Sequence, residues 1–335
     1  MIKKNNHIID SFGRAHDYLR ISLTERCNLR CFYCMPEEGI ALRDKAEFMN
    51  AEELLFIANS FVDLGIKKIR LTGGEPLIKK NADIIIKGLS DLPIELAITT
   101  NGILVDRFID LFKEVGLKSV NISLDTLNQE KFKSITRRDY FDRVLSNINL
   151  LIKENFLVKI NVVLIKGVND DEVIDFINWT KDLPIQVRFI EFMPFDGNGW
   201  KKDKSISFNE IMSKVYCNYN DGSVKSVFKK ANDTSKNFLI DGYKGSFGII
   251  STITNPFCDS CNRIRLTADG KIKNCLFSSD ESDLLSSLRR GEDIHKLILN
   301  NINRKKISKA GIISFNSIDD QFMFSKNRSM VSIGG

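Results

Sequence analysis

SLTERCNLRCFYCMP (Ser22–Pro36) sets three cysteines, Cys27, Cys31 and Cys34, within eight positions, separated by three residues and then by two. The stretch leaves the short apolar run YLRISLT, which reads as a strand, so the thiols fall in the loop beyond a strand end. Three thiolates are one short of the four that a structural zinc ion or a fully protein-ligated [4Fe–4S] cubane takes. With three, one iron of a cubane stays open to a ligand that is not protein. The other reading of the same residues is a zinc knuckle completed by a distant histidine, His16 or His7.

The chain around this loop has 335 residues, 43% hydrophobic and 27% charged, an ordinary globular composition with room for one large domain or two unequal ones. No apolar run is long enough to span a bilayer, and the lysines of MIKKNNHIID have no apolar segment behind them. A cytoplasmic protein is expected, and in that reducing compartment seven cysteines read as ligands or catalysts rather than disulfides. Six of them form two groups of three; the seventh, Cys217, is expected to be a small buried apolar residue. The net charge of +6 suits a phosphate-bearing partner without specifying one.

From Tyr18 to about Phe192, six strand-like runs alternate with helical patterns: YLRISLT, KKIRLT, IELAIT, LKSVNISLD, LVKINVVLI and IQVRFIEF. NAEELLFIANSFVDLG offers Asn50 as an N-cap and Gly65 past its end, and DYFDRVLSNINLLIKEN carries apolar residues three and four apart. This alternation predicts βα units and a parallel sheet, with site residues at the carboxyl ends of the strands. The expected architecture is α/β, a partial (βα)6 TIM-like barrel over residues 1–195 closed by a C-terminal region, 196–335. That region reads as Lys-, Ser-, Asn- and Gly-rich to about Asn255, then as a second cysteine group and a helical pair around ESDLLSSLRRGEDIHKLILNNINRK.

RLTGGEP (Arg70–Pro76) follows the second strand; alone it is a tight turn, or a place where glycine lets backbone approach a ligand closely. Together with the C-x3-C-x2-C loop it resembles the radical S-adenosylmethionine (SAM) superfamily, whose members hold a [4Fe–4S] cluster with one iron open to SAM. NPFCDSCNRIRLTADGKIKNC adds Cys258, Cys261 and Cys275, again three thiolates with no evident fourth, which leaves zinc and iron–sulfur both open. Between them Arg263 and Arg265 are two apart, so an extended segment points both the same way, as paired anion ligands or as a solvated basic strand.

The whole series, C-x3-C-x2-C, GGEP, TTNG, NISLD, RFIEFM, C-x2-C-N-R-I-R and a last cysteine, resembles the GTP 3′,8-cyclase family of molybdenum cofactor biosynthesis from FGRAHDYLRISLTERC to the terminal Gly-Gly. The resemblance implies two [4Fe–4S] clusters, on Cys27, Cys31 and Cys34 and on Cys258, Cys261 and Cys275. It implies SAM contacts at Tyr33, Gly74, Ser123 and Met193. For GTP it implies Arg20, Arg70, Thr99, Lys159, Arg263, Ile264 and Arg265, with the open iron of the second cluster on the guanine base. A 5′-deoxyadenosyl radical would take the ribose 3′ hydrogen, and the carbon radical would close on C8. Gly334 and Gly335 match the family's tail, which reaches the active site; the alternative is a disordered terminus. The implied partners are GTP, an electron donor and the downstream cyclic pyranopterin monophosphate synthase, with no nucleic acid and no membrane. A peptide-modifying radical SAM maturase would carry more C-terminal cysteines, and a nucleic-acid-binding zinc protein would interleave aromatic residues with its basic patch.

Overall fold

The computed structural model describes residues 8–35, 39–40, 43–220, 222–228, 231–312 and 327–334. Six βα strands run in chain order: β1 (Tyr18–Ser22), β2 (Lys68–Thr72), β3 (Glu95–Thr100), β4 (Ser119–Ser123), β5 (Leu157–Leu164) and β6 (Gln186–Glu191). Each pairs in parallel with the next. The helices between them are α1 (Ala51–Asp63), α2 (Ala82–Ser90), α3 (Val105–Glu114), α4 (Gln129–Thr136), α5 (Phe141–Lys153) and α6 (Val173–Trp179).

The expected strands and helices form where the sequence pattern puts them, for identifiable reasons. Asn50 caps α1: its side chain accepts the Glu53 N–H at 2.8 Å while Glu53 accepts the Asn50 N–H at 2.9 Å, a capping box worth about 1 kcal/mol. Past its end Gly65 takes φ +102°, which a side chain would resist. The inward stripe Leu54, Ile57, Ala58 and Phe61 is buried against the sheet.

C-terminal elements continue the same sheet at both edges. Beyond α7 (Phe208–Asn218) come β7 (Val224–Ser226), β8 (Lys236–Ile240) and β9 (Ser246–Ile250), and β9 pairs in parallel with β6. After the second cysteine loop come β10 (Arg263–Leu266), β11 (Lys271–Lys273) and β12 (Ser282–Asp283), and β10 pairs in parallel with β1. The sheet therefore has the order β12-β11-β10-β1-β2-β3-β4-β5-β6-β9-β8-β7. Its eight central strands are parallel, and no ladder among the described residues joins the two ends: an open, partial barrel. Helices α8 (Leu284–Arg289) and α9 (Ile294–Asn303) are the expected pair; α9 packs on α1, and Arg289 reaches Glu53 at 2.7 Å.

The two faces of the strands differ sharply. Leu19, Ile21, Ile69, Leu71, Ile98, Val120 and Ile160 turn outward to the helices and are buried. The inward positions of the same strands hold Arg20, Arg70, Thr99, Asn121, Lys159 and Arg188. Fully covered parallel strands ordinarily read as continuous apolar runs. Polar alternation in them marks a concave face that encloses something polar. Cys217 departs from expectation: it is exposed on α7, because the inward stripe of that helix is Ile211, Met212 and Val215.

Candidate active site

The loop after β1 carries Cys27, Cys31 and Cys34, all free and half-buried, and they line one cavity of about 60 Å³ with Gly73, Gly74, Met330 and Val331. The loop is tied down by its own backbone: Cys34 and Met35 both donate to the Cys31 carbonyl at 2.9 Å. Gly74 N–H donates to the Thr24 carbonyl at 2.7 Å and Glu75 N–H to the Arg26 carbonyl at 2.8 Å, so GGEP is zipped to the segment leading into Cys27. A Cβ on Gly74 would run into the Arg26 carbonyl, which is the physical need for glycine there. Glu75 is buried and accepts from Leu77 N–H (3.0 Å), Thr100 Oγ1 (2.7 Å) and Asn101 N–H (2.7 Å). It ties the end of β3 to this loop, and burial lifts its carboxyl to about 7.

Burial raises all three thiols, Cys27 to about 11 and Cys34 to about 12; Glu75 adds to the first, and Cys27 and Asp125 to the second. The Cys31 thiol is raised by burial, then by Asp125, Cys34 and Cys27. Three thiolates sharing one cavity need a compensating cation, which is the donor set a cubane with one open iron uses. Among the described residues no three His, Cys, Asp or Glu side chains gather closely enough for a single metal ion. Of the histidines considered as a fourth ligand, His16 is buried beside Asp10, Nε2 to Oδ2 3.6 Å, and His7 lies outside the described residues.

The Tyr33 hydroxyl donates to Asp125 Oδ2 at 2.6 Å, and Asp125 Oδ1 accepts Val163 N–H at 2.8 Å. Burial raises the Asp125 carboxyl to about 6. Tyr33 also meets the Phe192 ring edge-on at 6.5 Å, so one loop residue touches the ends of the β4 and β6 units. Ser123 ends β4, two residues before Asp125, in register with Asn161. Met193 lies two residues past β6 and packs with Phe195, Phe277 and Ile333, between the second cysteine loop and the C-terminal segment.

The concave face is a basic row. Arg20 lies in register with Arg70 on one side and Arg265 on the other; Thr99 pairs with Asn121, Asn121 with Lys159, and Asn161 with Arg188. Their hydrogen bonds go to neutral oxygens: Arg70 to Tyr18 Oη (2.6 Å) and the Ile98 carbonyl (2.8 Å), and Arg188 to Asn161 Oδ1 (2.6 Å). Arg265 donates to the Gly334 carbonyl at 3.1 Å. Burial, then Arg188 and Arg70, push the Lys159 amine down to about 8. Tyr18 goes the other way from a buried phenol: burial raises it, but Arg70 and Arg20 outweigh that and bring it to about 8. Neighbouring strands are ~4.8 Å apart, and like charges at about that separation repel by roughly 3 kcal/mol at an effective dielectric of about 20. The buried Thr99 Oγ1 and Asn121 Oδ1 have no hydrogen-bond partner on this face. A polyanion would relieve the repulsion, and Thr99 Oγ1 and Asn121 Oδ1 can accept from N–H or O–H donors of the same ligand.

At the β10 edge Cys275 lies within electrostatic reach of Cys258 and Cys261. Cys261 accepts from Lys305 Nζ and Cys258 from Lys309 N–H, both at 3.4 Å. Burial would raise the Cys261 thiol, but Arg263 and Lys305 overcome it and hold it at about 6. Burial raises Cys275, which also feels Cys261 and Cys258. Arg263 donates to the Asn232 carbonyl at 3.3 Å and stacks over Phe257; Ile264 points away, buried in the main core. Gly334 sits against Ser22 and Thr72 at the ends of β1 and β2, where a Cβ would strike Thr72 Oγ1. Gly335 lies outside the described residues.

The sequence reading passed over Arg188, Asn121, Tyr18, Asp125 and Lys305. All but Lys305 and Asp125 sit at inward positions of strands already identified, so the two-residue alternation of YLRIS, VNIS and VRFIE was their signal. Glu191 was also missed; its Oε2 accepts Ile253 N–H at 2.7 Å and so holds the approach to the second cysteine loop.

Two family models match the chain, the Radical SAM superfamily over residues 21–180 and Molybdenum Cofactor Synthesis C over residues 185–310. The crystal structure of Streptococcus suis SuiB bound to S-adenosylmethionine shares the fold, with TM-score 0.62 at 14% identity over 88% of this chain and 69% of that one. Fold and first cysteine loop thus define a radical SAM enzyme, a class that works with a [4Fe–4S] cluster and SAM. Among curated relatives, "GTP 3′,8-cyclase, mitochondrial" of Arabidopsis thaliana is 46% identical over 98% of this chain and 83% of its own length. GTP 3′,8-cyclase of Peptoclostridium acidaminophilum is 45% identical over 89% of this chain and 92% of its own. Molybdenum cofactor biosynthesis protein 1 of Drosophila melanogaster is 43% identical, and the chain spans 55% of its length. The chain belongs to the GTP 3′,8-cyclase family of radical SAM enzymes. No helix among the described residues is long and apolar enough to cross a membrane.

Proposed function

We propose that this chain cyclises GTP, joining ribose C3′ to guanine C8 to give 3′,8-cyclo-7,8-dihydro-GTP, the first step of molybdenum cofactor biosynthesis. The observation that carries the reading is the basic row on the concave face, with Arg265, Arg20 and Arg70 in adjacent registers and Lys159 and Arg188 farther along the same face, together with two thiol triads. Cys27, Cys31 and Cys34 hold one [4Fe–4S] cluster and Cys258, Cys261 and Cys275 a second. Bound at the first triad, cluster and SAM supply a 5′-deoxyadenosyl radical able to take the ribose 3′ hydrogen. Tyr33, Gly74, Ser123 and Met193 line the SAM side.

The protein's own share is placement. Arg20, Arg70, Lys159, Arg188, Arg263 and Arg265 bind the triphosphate and fix its distance from the first loop; Thr99 and Asn121 supply neutral acceptors for the nucleoside. The Arg263–Arg265 segment, with Ile264 anchoring its back in the core, keeps GTP against the second triad. Gly334 closes the site over the ends of β1 and β2, and Gly334 and Gly335 together serve turnover. Held in this way, reacting atoms meet with much of the entropy of approach already removed, and water is excluded. An external electron donor supplies reducing equivalents, and the product passes to cyclic pyranopterin monophosphate synthase. Residues 1–195 act as the SAM-binding half and 196–335 as the half that completes the GTP site.

An anaerobic iron and sulfide count tests the two-cluster part. About eight irons in wild type, falling to about four in a Cys258/Cys261/Cys275 triple alanine variant, supports it; a constant count of about four overturns the second cluster. Formation of the cyclic nucleotide from GTP and SAM under reductant tests the reaction.

A further inference from the structure

The C-terminal segment does not rest on apolar packing alone. Arg328 donates to both oxygens of Asp269 at 2.9 Å, to Glu281 Oε2 at 2.7 and 3.1 Å, and lies 3.8 Å from Glu25. Asp269 is the turn between β10 and β11, Glu281 follows Cys275 by six residues, and Glu25 precedes Cys27 by two. One guanidinium thus touches the approach to each cysteine loop and the hairpin between them. Arg43 pairs with the same Glu25 and Asp269, each at 3.2 Å. Asn327 accepts from Lys273 Nζ at 2.9 Å and donates to the Leu276 carbonyl at 3.1 Å, while Ser332 hydrogen-bonds Glu25. Six residues past Arg328, Gly334 lies between the Arg265 guanidinium and the ends of β1 and β2.

We infer that Arg328 is a positioning residue: its ion pairs with Asp269 and Glu281 clasp the C-terminal segment so that the Gly334 carbonyl stays on Arg265. The inference rests on the proposed reading of the tail as part of the active site. Three carboxylates converge where the tail crosses the two loops. Without Arg328 they would face one another with only Arg43, Lys271 and Lys273 among the described residues paired to them, and the four-residue helix Met330–Ile333 is too short to hold its own course. The first cysteine cavity loses its Met330 and Val331 wall in the same movement.

The test compares Arg328→Met and Arg328→Lys with wild type and with a chain lacking Gly334 and Gly335, all anaerobically reconstituted. Arg328→Met should keep the wild-type iron count, lose on the order of 100-fold in turnover, and exchange backbone amides faster in residues 327–334 alone; Arg328→Lys should recover part of the rate. Wild-type turnover in Arg328→Met, wild-type exchange of the tail, or faster exchange spread across the whole sheet overturns the inference. If the chain lacking both glycines is itself fully active, the tail reading fails and the inference with it. If that chain is inactive and Arg328→Met is normal, the inference alone fails.

Discussion

At Arg188 a single inward position on β6 places a buried guanidinium against Asn161, with burial and the Arg70 charge both opposing its ionised form. A phosphate oxygen there would turn two unfavourable terms into one charge-assisted hydrogen bond, worth about 1.5–3 kcal/mol. Arg188→Met should raise the KM for GTP by about 10–100-fold with kcat changed less and the iron count unchanged; steady-state kinetics decide it. Tyr18 and Lys159 make a second, pH-dependent prediction. Both have folded pKa values of about 8, below their ordinary 10.0 and 10.5. Between about pH 8 and 10 the folded protein therefore binds fewer protons than the unfolded chain, and their contribution to stability rises with pH across that window. A bound triphosphate screens the arginines from Tyr18 and draws charge onto Lys159, raising both values. GTP binding near pH 8.5 should take up protons, seen as a calorimetric enthalpy that depends on the buffer, and near pH 6.5 this uptake should vanish. Tyr18→Phe should also remove a tyrosinate absorbance step near pH 8.

Among the elements, the GGEP loop illustrates how a ligand-binding signature has a second structural cause. The glycine at 74 is required by the Arg26 carbonyl, and Glu75 stitches the loop to Thr100 and Asn101. Gly74→Ala should force the two loops apart at a cost of about 1–3 kcal/mol and displace Cys27. The expected result is loss of the first cluster, about four irons, with the second retained; an unchanged count would show that the loop absorbs the methyl. Element positions themselves were readable from sequence: β1 to β6, α1 and α5 declare themselves by period and caps. Helix α7 did not, although Ser207 and Glu210 form a capping box that the Lys- and Asn-rich surroundings obscured.

For the whole molecule, the sheet crosses any boundary drawn near residue 195. Strand β10 covers the edge of β1, and β9 covers the edge of β6. A fragment of residues 1–195 would expose both edges and the apolar partners Ile264 and Phe247 now bury. It should fail to fold alone, giving no cooperative thermal transition and early proteolysis; a stable monomeric fragment would contradict this. Five of the chain's cations, Arg20, Arg70, Lys159, Arg188 and Arg265, are gathered on the concave face.

Strand and helix order, the first thiol triad and the alternation of cations along the strands were determined by the sequence, because each depends on residues within a few positions of one another. Distances between segments far apart in the chain belong to the tertiary structure alone. Parallel register set Arg265, Arg20 and Arg70 side by side, although 245 positions separate the first two. The tertiary fold also brought Cys275 to Cys258 and Cys261, put β10 rather than β6 beside β1, and carried Arg328 to three carboxylates from three segments. Local pattern specifies what each strand presents. Which strands become neighbours is chosen by the burial of all their outward faces at once, and no short stretch of sequence records that sum.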